Sequence, residues 1–214
     1  MGIITVLSDL LFPARCVFCR RFLNEGESSV CRGCAKSLPY TGKNCERSGD
    51  GFTVCVAPLY YRHDARKAML RFKFGAKSSY ADCFGKLIAD CVRENLAGRY
   101  DVITWVPLSR KRLRKRGYSQ SGLLAEAVAR HTGGTVQRLL DKTVEAAPQS
   151  SMKGYASRRN NIKGAFAVKD PEPVSGKRIL LIDDIITTGA TLSECAKVLR
   201  RAGAADVLCA VLCR

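Results

Sequence analysis

The chain has 214 residues, of which 46% are hydrophobic and 26% are charged, so it can form one ordinary core with a small appended module. This composition excludes collagen-like, coiled-coil and wholly disordered classes. The formal net charge of +17 favours polyanionic partners, namely nucleic acid, phosphorylated metabolites or an acidic protein surface. A basic surface without a specific partner would carry the same charge.

The N-terminal residues and the cysteines indicate the compartment. Residues 1–13 lack a basic region, and Ser8 and Asp9 interrupt their apolar run. No other stretch approaches the roughly 20 apolar residues that a membrane span requires. We therefore expect a cytoplasmic protein, with any attachment to the inner membrane made through partners. Its eleven cysteines are then thiols or metal ligands rather than disulfides.

Two C-x2-C pairs lie near the start of the chain, Cys16 with Cys19 and Cys31 with Cys34. Each pair presents two thiolates at a separation that suits one tetrahedral Zn²⁺. Four protein ligands close the coordination sphere, so residues 1–50 are predicted to form a four-cysteine module with structural zinc. A redox pair or incidental buried thiols are the alternatives. Cys45 is expected to lie outside the metal site.

Residues 51–214 alternate between apolar runs and amphipathic stretches. Strands are predicted at 54–61, 102–108, 178–184 and 207–213, and helices at 67–72, 80–96, 120–130 and 191–201. This alternation predicts one α/β domain with an open, mostly parallel sheet flanked by helices.

The predicted strand 178–184 ends in two carboxylates, Asp183 and Asp184. Ligands of open α/β sheets bind beyond the carboxyl ends of the strands, and the following residues offer hydroxyls and free N–H groups at a helix start. Acids beside an anion-binding loop suit a sugar phosphate, with the hydroxyls on the acids and the phosphate on the loop. The alternative is a solvated acid pair before an ordinary capped helix.

The segment 178–191 resembles the signature of type I phosphoribosyltransferases, which bind 5-phosphoribosyl-1-pyrophosphate (PRPP) with Mg²⁺. The resemblance implies that Asp183 and Asp184 are the catalytic carboxylates and hold the ribose hydroxyls. It also implies that the 5′-phosphate is held by Thr187, Thr188, Gly189, Ala190 and Thr191.

Every residue from 110 to 116 is Lys or Arg except Leu113. Charge repulsion within such a run predicts a mobile loop. Three roles are open for it: a cationic flap over a leaving pyrophosphate, a nucleic-acid contact, or a solvated loop. The resemblance to phosphoribosyltransferases implies a pyrophosphate loop and flap built from Pro107, Leu108, Ser109, Arg110, Arg116, Gly117 and Gln120.

Segments 106–121 and 158–166, together with the paired cysteines, extend the resemblance to the ComF/GntX family, whose members are associated with DNA uptake in natural transformation. The family motif has Asn where this chain has Ser119. Arg158 and Asn161 are candidates for further anion contacts.

Two functions follow from these patterns. The first is a ComF-like phosphoribosyltransferase-family protein that binds PRPP or a related ribose phosphate with Mg²⁺ and is linked to DNA uptake. Transfer to an acceptor is open, because no nucleobase-recognition element is evident. The alternative is a non-catalytic DNA- or nucleotide-binding module that contacts single-stranded DNA and acts with a helicase-like, DNA-processing partner.

Overall fold

The computed structural model describes residues 13–75, 77–143 and 164–214. The helices are α1 (Arg32–Ser37), α2 (His63–Phe74), α3 (Tyr80–Leu96), α4 (Arg110–Arg116), α5 (Gln120–Thr132) and α6 (Ala190–Arg201), with a 3₁₀ turn at Gly42–Asn44. The strands are β1 (Glu46–Gly49), β2 (Phe52–Val56), β3 (Val102–Trp105), β4 (Asp141–Lys142), β5 (Phe166–Ala167), β6 (Arg178–Ile185) and β7 (Asp206–Cys213).

Five of the described strands form one sheet in the order β1-β2-β7-β6-β3, in which β1 alone pairs antiparallel. The central strands are apolar on both faces because both faces are covered. Leu180 and Ile182 of β6 point into a core shared with α3 and α5, whereas Ile179 and Leu181 point into a second core shared with α6. The predicted open, mostly parallel α/β sheet with flanking helices is confirmed.

The N-terminal cysteine region packs into the same core as α2 and α3. Phe18, which is fully buried between two cysteines, lies with its ring centroid 5.8 Å from that of Phe84 on α3. The hairpin β1–β2 spans residue 50, so the antiparallel edge strand comes from the segment predicted as the zinc module. The two predicted units therefore contact each other closely.

The segment 110–116, predicted as a mobile loop, is instead the helix α4. Its ends are capped: the Ser109 hydroxyl accepts a hydrogen bond from the Arg112 N–H, and Gly117 takes a left-handed conformation at φ 78°. Lys and Arg have high helix propensity, and cations in the last turn interact favourably with the helix dipole. Local capping thus outweighs the charge repulsion on which the loop prediction rested.

Some predicted boundaries also differ. The strand expected at 54–61 ends at Val56, two residues before Pro58, which has no N–H to donate to a ladder. The helix expected at 67–72 runs from His63 to Phe74, and this longer span carries Lys73 and Phe74 to the functional site. Within the described residues, no helix is long and apolar enough to cross a membrane.

Candidate sugar-phosphate site and zinc centre

The thiols of Cys16, Cys19, Cys31 and Cys34 converge, with all four Sγ atoms within 4.8 Å of one another. The Sγ atoms of Cys19 and Cys31 are 3.7 Å apart. A tetrahedral Zn²⁺ with Zn–S bonds of about 2.3 Å places its sulfur atoms about 3.8 Å apart, so the cluster fits zinc. The first pair flanks and enters a turn at residues 17–19, with Cys16 just before it and Cys19 at its end, and Cys31 caps the N-terminus of α1.

Local hydrogen bonds favour the thiolate of Cys31, one of the four cysteines of this cluster. Desolvation opposes ionisation of Cys31, but hydrogen bonds from the Cys34 N–H and the Arg21 guanidinium lower the pKa of Cys31 to about 6. Cys45 lies elsewhere, with its thiol 3.4 Å from the Asn95 side-chain oxygen. The described metal cluster therefore consists of the four predicted ligands without Cys45.

Asp183 and Asp184 lie at the carboxyl end of β6, where the residues of the strand change from buried to half-buried. Desolvation and the neighbouring charge of Asp184 raise the pKa of Asp183 to about 8. The carboxylate of Asp184 accepts a bond from the ammonium of Lys73, with Nζ and Oδ1 2.9 Å apart. The pair therefore carries an opposing cation supplied by the last turn of α2.

Further cations surround the acid pair. Lys142 on β4 is close enough to Asp183 for the two charges to influence each other, and Arg116 at the end of α4 is similarly placed near Asp184. Burial lowers the pKa of both Lys142 and Arg116. A cleft of about 320 Å³ adjoins these groups and is lined by Lys73, Phe74, Arg112, Lys115, Arg116 and Tyr118.

The loop after β6 leads directly into α6. Gly189 has φ 81°, a left-handed backbone conformation that residues other than glycine rarely adopt. It is the N-cap residue of α6. The Thr188 hydroxyl accepts a bond from the Ala190 N–H at 3.3 Å. Arg47 of β1 donates to the Thr187 carbonyl at 2.7 Å and so holds the start of the loop. The first-turn N–H groups of a helix have no partners within that helix, so the start of α6 offers donors of the kind that the predicted phosphate contacts require.

The predicted pyrophosphate loop begins where β3 ends, beside β6 in the sheet. Pro107 and Ser109 are buried, whereas Arg110 is exposed. The Ser121 hydroxyl donates to the Val106 carbonyl at 2.8 Å, which holds the N-terminus of α5 against this loop. These residues therefore reach the same edge of the sheet as the acid pair.

Gln120 is buried, and its side-chain oxygen accepts a bond from Arg116 at 3.0 Å. Ser119, which stands where the resembling family has Asn, is the N-cap of α5 and accepts the Gly122 N–H at 3.1 Å. Gly117 ends α4 and is exposed. The flap residues are thus parts of two capped helices.

Most predicted site residues are brought together at one edge of the sheet. Arg158 and Asn161 lie outside the described residues, so their predicted contacts stay predictions. Sequence reasoning missed three cations at the site: Lys73, Lys142 and Arg47. None of the three could be recognised from the residues next to it in the sequence. Each lies in a segment whose position depends on how the chain folds back onto the sheet.

The acid pair at the end of a central parallel strand and the glycine-containing loop after it lie in a phosphoribosyltransferase-like α/β domain, here joined to a four-cysteine metal module. The sequence matches the phosphoribosyl transferase domain family over residues 119–214. It also matches the double zinc ribbon domain family over residues 7–63, so the four-cysteine cluster is a structural zinc site.

Relatives are similar over nearly the whole chain. Competence protein F of Haemophilus influenzae is 28% identical over 92% of this chain and 95% of its own length. DNA utilization protein YhgH of Escherichia coli O157:H7 is 29% identical over 96% of this chain and 99% of its own. Competence protein ComFC of Bacillus subtilis is 27% identical over 89% and 79%. The chain is a homologue of these proteins, which confirms the resemblance to the ComF/GntX family.

Proposed function

We propose that this protein binds PRPP, or a related ribose phosphate, at Asp183 and Asp184. The observation that carries the proposal is the position of the acid pair between the anion-binding loop 187–191 and the cleft lined by Lys73 and Arg116. Ribose hydroxyls on the acids would direct the 5′-phosphate to the loop and a C1 diphosphate to the cleft.

The donor set also suits Mg²⁺. Mg²⁺ is usually bound by one or two carboxylates together with substrate phosphates, rather than by an all-protein cage. Asp183 and Asp184 supply that number of carboxylates. When bound, the ion would neutralise part of the charge on a diphosphate. The two acids would then hold the ribose and the metal together.

The biological setting is inferred from the relatives, two of which are named competence proteins and one a DNA utilization protein. We propose that ribose-phosphate binding by this protein serves DNA uptake in the cytoplasm. Phosphoribosyl transfer is the reaction that such a site permits, and the acceptor is unassigned. Mg²⁺-dependent release of pyrophosphate from PRPP during a screen of acceptors would test for turnover.

The binding proposal is tested by calorimetry of zinc-loaded protein with PRPP and Mg²⁺. The wild type is compared with Asp183→Asn/Asp184→Asn and with Asp64→Asn/Asp90→Asn, a control that removes two carboxylates on the outer surface. We expect binding by the wild type and the control and loss of binding in the first variant. Absence of binding by folded wild type, or equal binding by all three proteins, would refute the proposal.

A second candidate function is contact with single-stranded DNA through α4. Most of the cationic side chains of α4 are exposed, and the exposed Phe74, 71% accessible, lies beside them with Arg116 stacked on its ring at 5.1 Å. Cations beside an exposed aromatic ring suit a single strand, whose bases stack while its phosphates are neutralised.

Each neutralised phosphate of a single strand contributes about 0.7 to the slope of log affinity against log salt. We therefore expect Arg110→Gln/Arg114→Gln to reduce that slope by roughly 1.4. The charge-matched control, Arg66→Gln/Arg201→Gln, changes exposed cations away from α4 and should keep the wild-type slope. Equal slopes for the two variants would remove the support for DNA binding by α4.

A further inference from the structure

We infer that Lys73 determines ligand specificity at the acid pair, by selecting a ribose phosphate that carries a second anionic group at C1 over one that carries a 5′-phosphate alone. The inference rests on the proposed function, because it concerns the same ribose-phosphate site. Lys73 lies on α2, outside the segment 178–191. The inference is that this one residue discriminates between a ribose phosphate with one phosphate and one that also carries a diphosphate.

The first step is the contact between Lys73 and Asp184. The Nζ atom lies 2.9 Å from Oδ1, and the two side chains are 21% and 13% exposed. An ammonium group has three N–H donors, and a carboxylate oxygen at this distance takes one of them. Lys73 therefore contacts the acid that would hold a ribose hydroxyl and still has donors for a second acceptor.

The second step is the cleft on which Lys73 lies. It is lined by three more cations, Arg112, Lys115 and Arg116, and by two aromatic residues, and its volume is about 320 Å³. No residue of the phosphate loop 187–191 lines this cleft among the residues that the structure describes. A second anion would therefore be bound separately from the 5′-phosphate, and Lys73 contacts both the cleft and the acid pair.

The third step is that the backbone around Lys73 is fixed. Arg71 donates from one nitrogen to the carbonyls of Val17 and Phe18 at 2.9 and 2.5 Å. The Tyr118 hydroxyl donates to the Phe72 carbonyl at 2.6 Å. Lys73 directly follows Phe72, and its ammonium is held by Asp184, so little side-chain and backbone ordering opposes binding.

The experiment is a calorimetric comparison of PRPP with ribose 5-phosphate, each with Mg²⁺, on the zinc-loaded full chain. The variants are Lys73→Met, Lys73→Gln and Lys73→Arg. The matched control is Lys67→Met, which removes a largely exposed lysine from the same helix. Thermal unfolding of each variant identifies any loss of folding.

We expect Lys73→Met and Lys73→Gln to weaken PRPP binding by about tenfold to a hundredfold, since a hydrogen bond between charged groups is lost. The affinity for ribose 5-phosphate should change by less than about threefold, because that ligand lacks the second anion. Lys73→Arg should retain most of the discrimination, and Lys67→Met should behave as the wild type.

Two results separate the inference from the proposed function. If folded wild type binds neither ligand, the proposed function fails and the inference fails with it. If the wild type binds both ligands and the folded Lys73 variants keep the wild-type ratio of affinities, the proposed function stands and the inference is overturned. Parallel losses for both ligands would overturn it as well, because they would show a structural role.

Discussion

Arg71 provides the sharpest test of how the zinc module is attached to the rest of the protein. Its guanidinium lies on α2 and donates two hydrogen bonds to the carbonyls of Val17 and Phe18, which lie between the zinc ligands Cys16 and Cys19. We expect Arg71→Met to loosen this attachment. The consequence should be a lower free energy of unfolding and faster loss of zinc.

The magnitude follows from the contacts. Hydrogen bonds from a charged group contribute roughly 1.5–3 kcal/mol each, so losing two of them removes roughly 3–6 kcal/mol. The Nε–H of Arg71 is buried without a partner, and its removal returns roughly 1–3 kcal/mol. The midpoints of these two ranges give an expected net destabilisation of about 2.5 kcal/mol.

Urea denaturation with saturating zinc, followed by far-UV circular dichroism, measures this loss. Zinc transfer to a chromogenic chelator measures the rate of metal release. The control is Arg66→Met, which removes an exposed cation from the same helix. If Arg71→Met unfolds within about 0.5 kcal/mol of this control, which is the usual range for surface substitutions, the two carbonyl contacts do not hold the module.

Two further predictions concern the loop 187–191 and the opposite end of the sheet, where β6 begins. Gly189 and Gly133 have φ values of 81° and 74°, so alanine at either should lower stability by roughly 1–2 kcal/mol, but only Gly189→Ala should weaken ribose 5-phosphate binding. Equal affinities in calorimetry would contradict a role for the loop. Hydrogen bonds from the Arg178 side chain and N–H lower the pKa of Asp101 to about 2. Its stabilising contribution is present above pH 3.8 and is lost as the pH falls toward 2, so the melting temperatures of wild type and Asp101→Asn should converge as the pH is lowered through this range. A constant difference would show that this pair does not contribute.

The strand β6 and its loop could be predicted because their signals are local. Four apolar residues followed by two acids predict a buried strand that ends in a pair of carboxylates, and the structure places both acids at the carboxyl end of β6. The glycine of the loop predicts a special backbone conformation, which Gly189 has. The two C-x2-C pairs likewise predict a metal cluster, because both knuckles are short and self-contained.

The helix α4 shows where a composition argument fails. Six cations in seven residues predict repulsion and a loop, yet two flanking residues decide the outcome: Ser109 caps the start and Gly117 ends the helix. Exposed cations on a helix extend into water, which screens their repulsion. The cap signals were visible in the sequence, and they were the stronger evidence.

Lys73, Lys142 and Arg47 could not be predicted, for a different reason. Each is an ordinary basic residue in its own segment, and the chain carries 36 Lys and Arg residues. What distinguishes these three is that α2, β4 and β1 come to the edge of the sheet where β6 ends. That placement is a property of the tertiary packing, which no local pattern encodes.

The position of α2 links the two halves of the molecule. Successive residues of an α-helix are separated by about 100°, so side chains two residues apart leave the helix on nearly opposite sides. Arg71 and Lys73 are two residues apart, and they contact the zinc knuckle and the acid pair, respectively. The helix therefore lies between the two centres. A displaced zinc knuckle would remove the Arg71 contacts from the same helix that places Lys73 beside Asp184. The zinc module, though remote from the acid pair, thereby contacts the helix that supplies the opposing cation of Asp184.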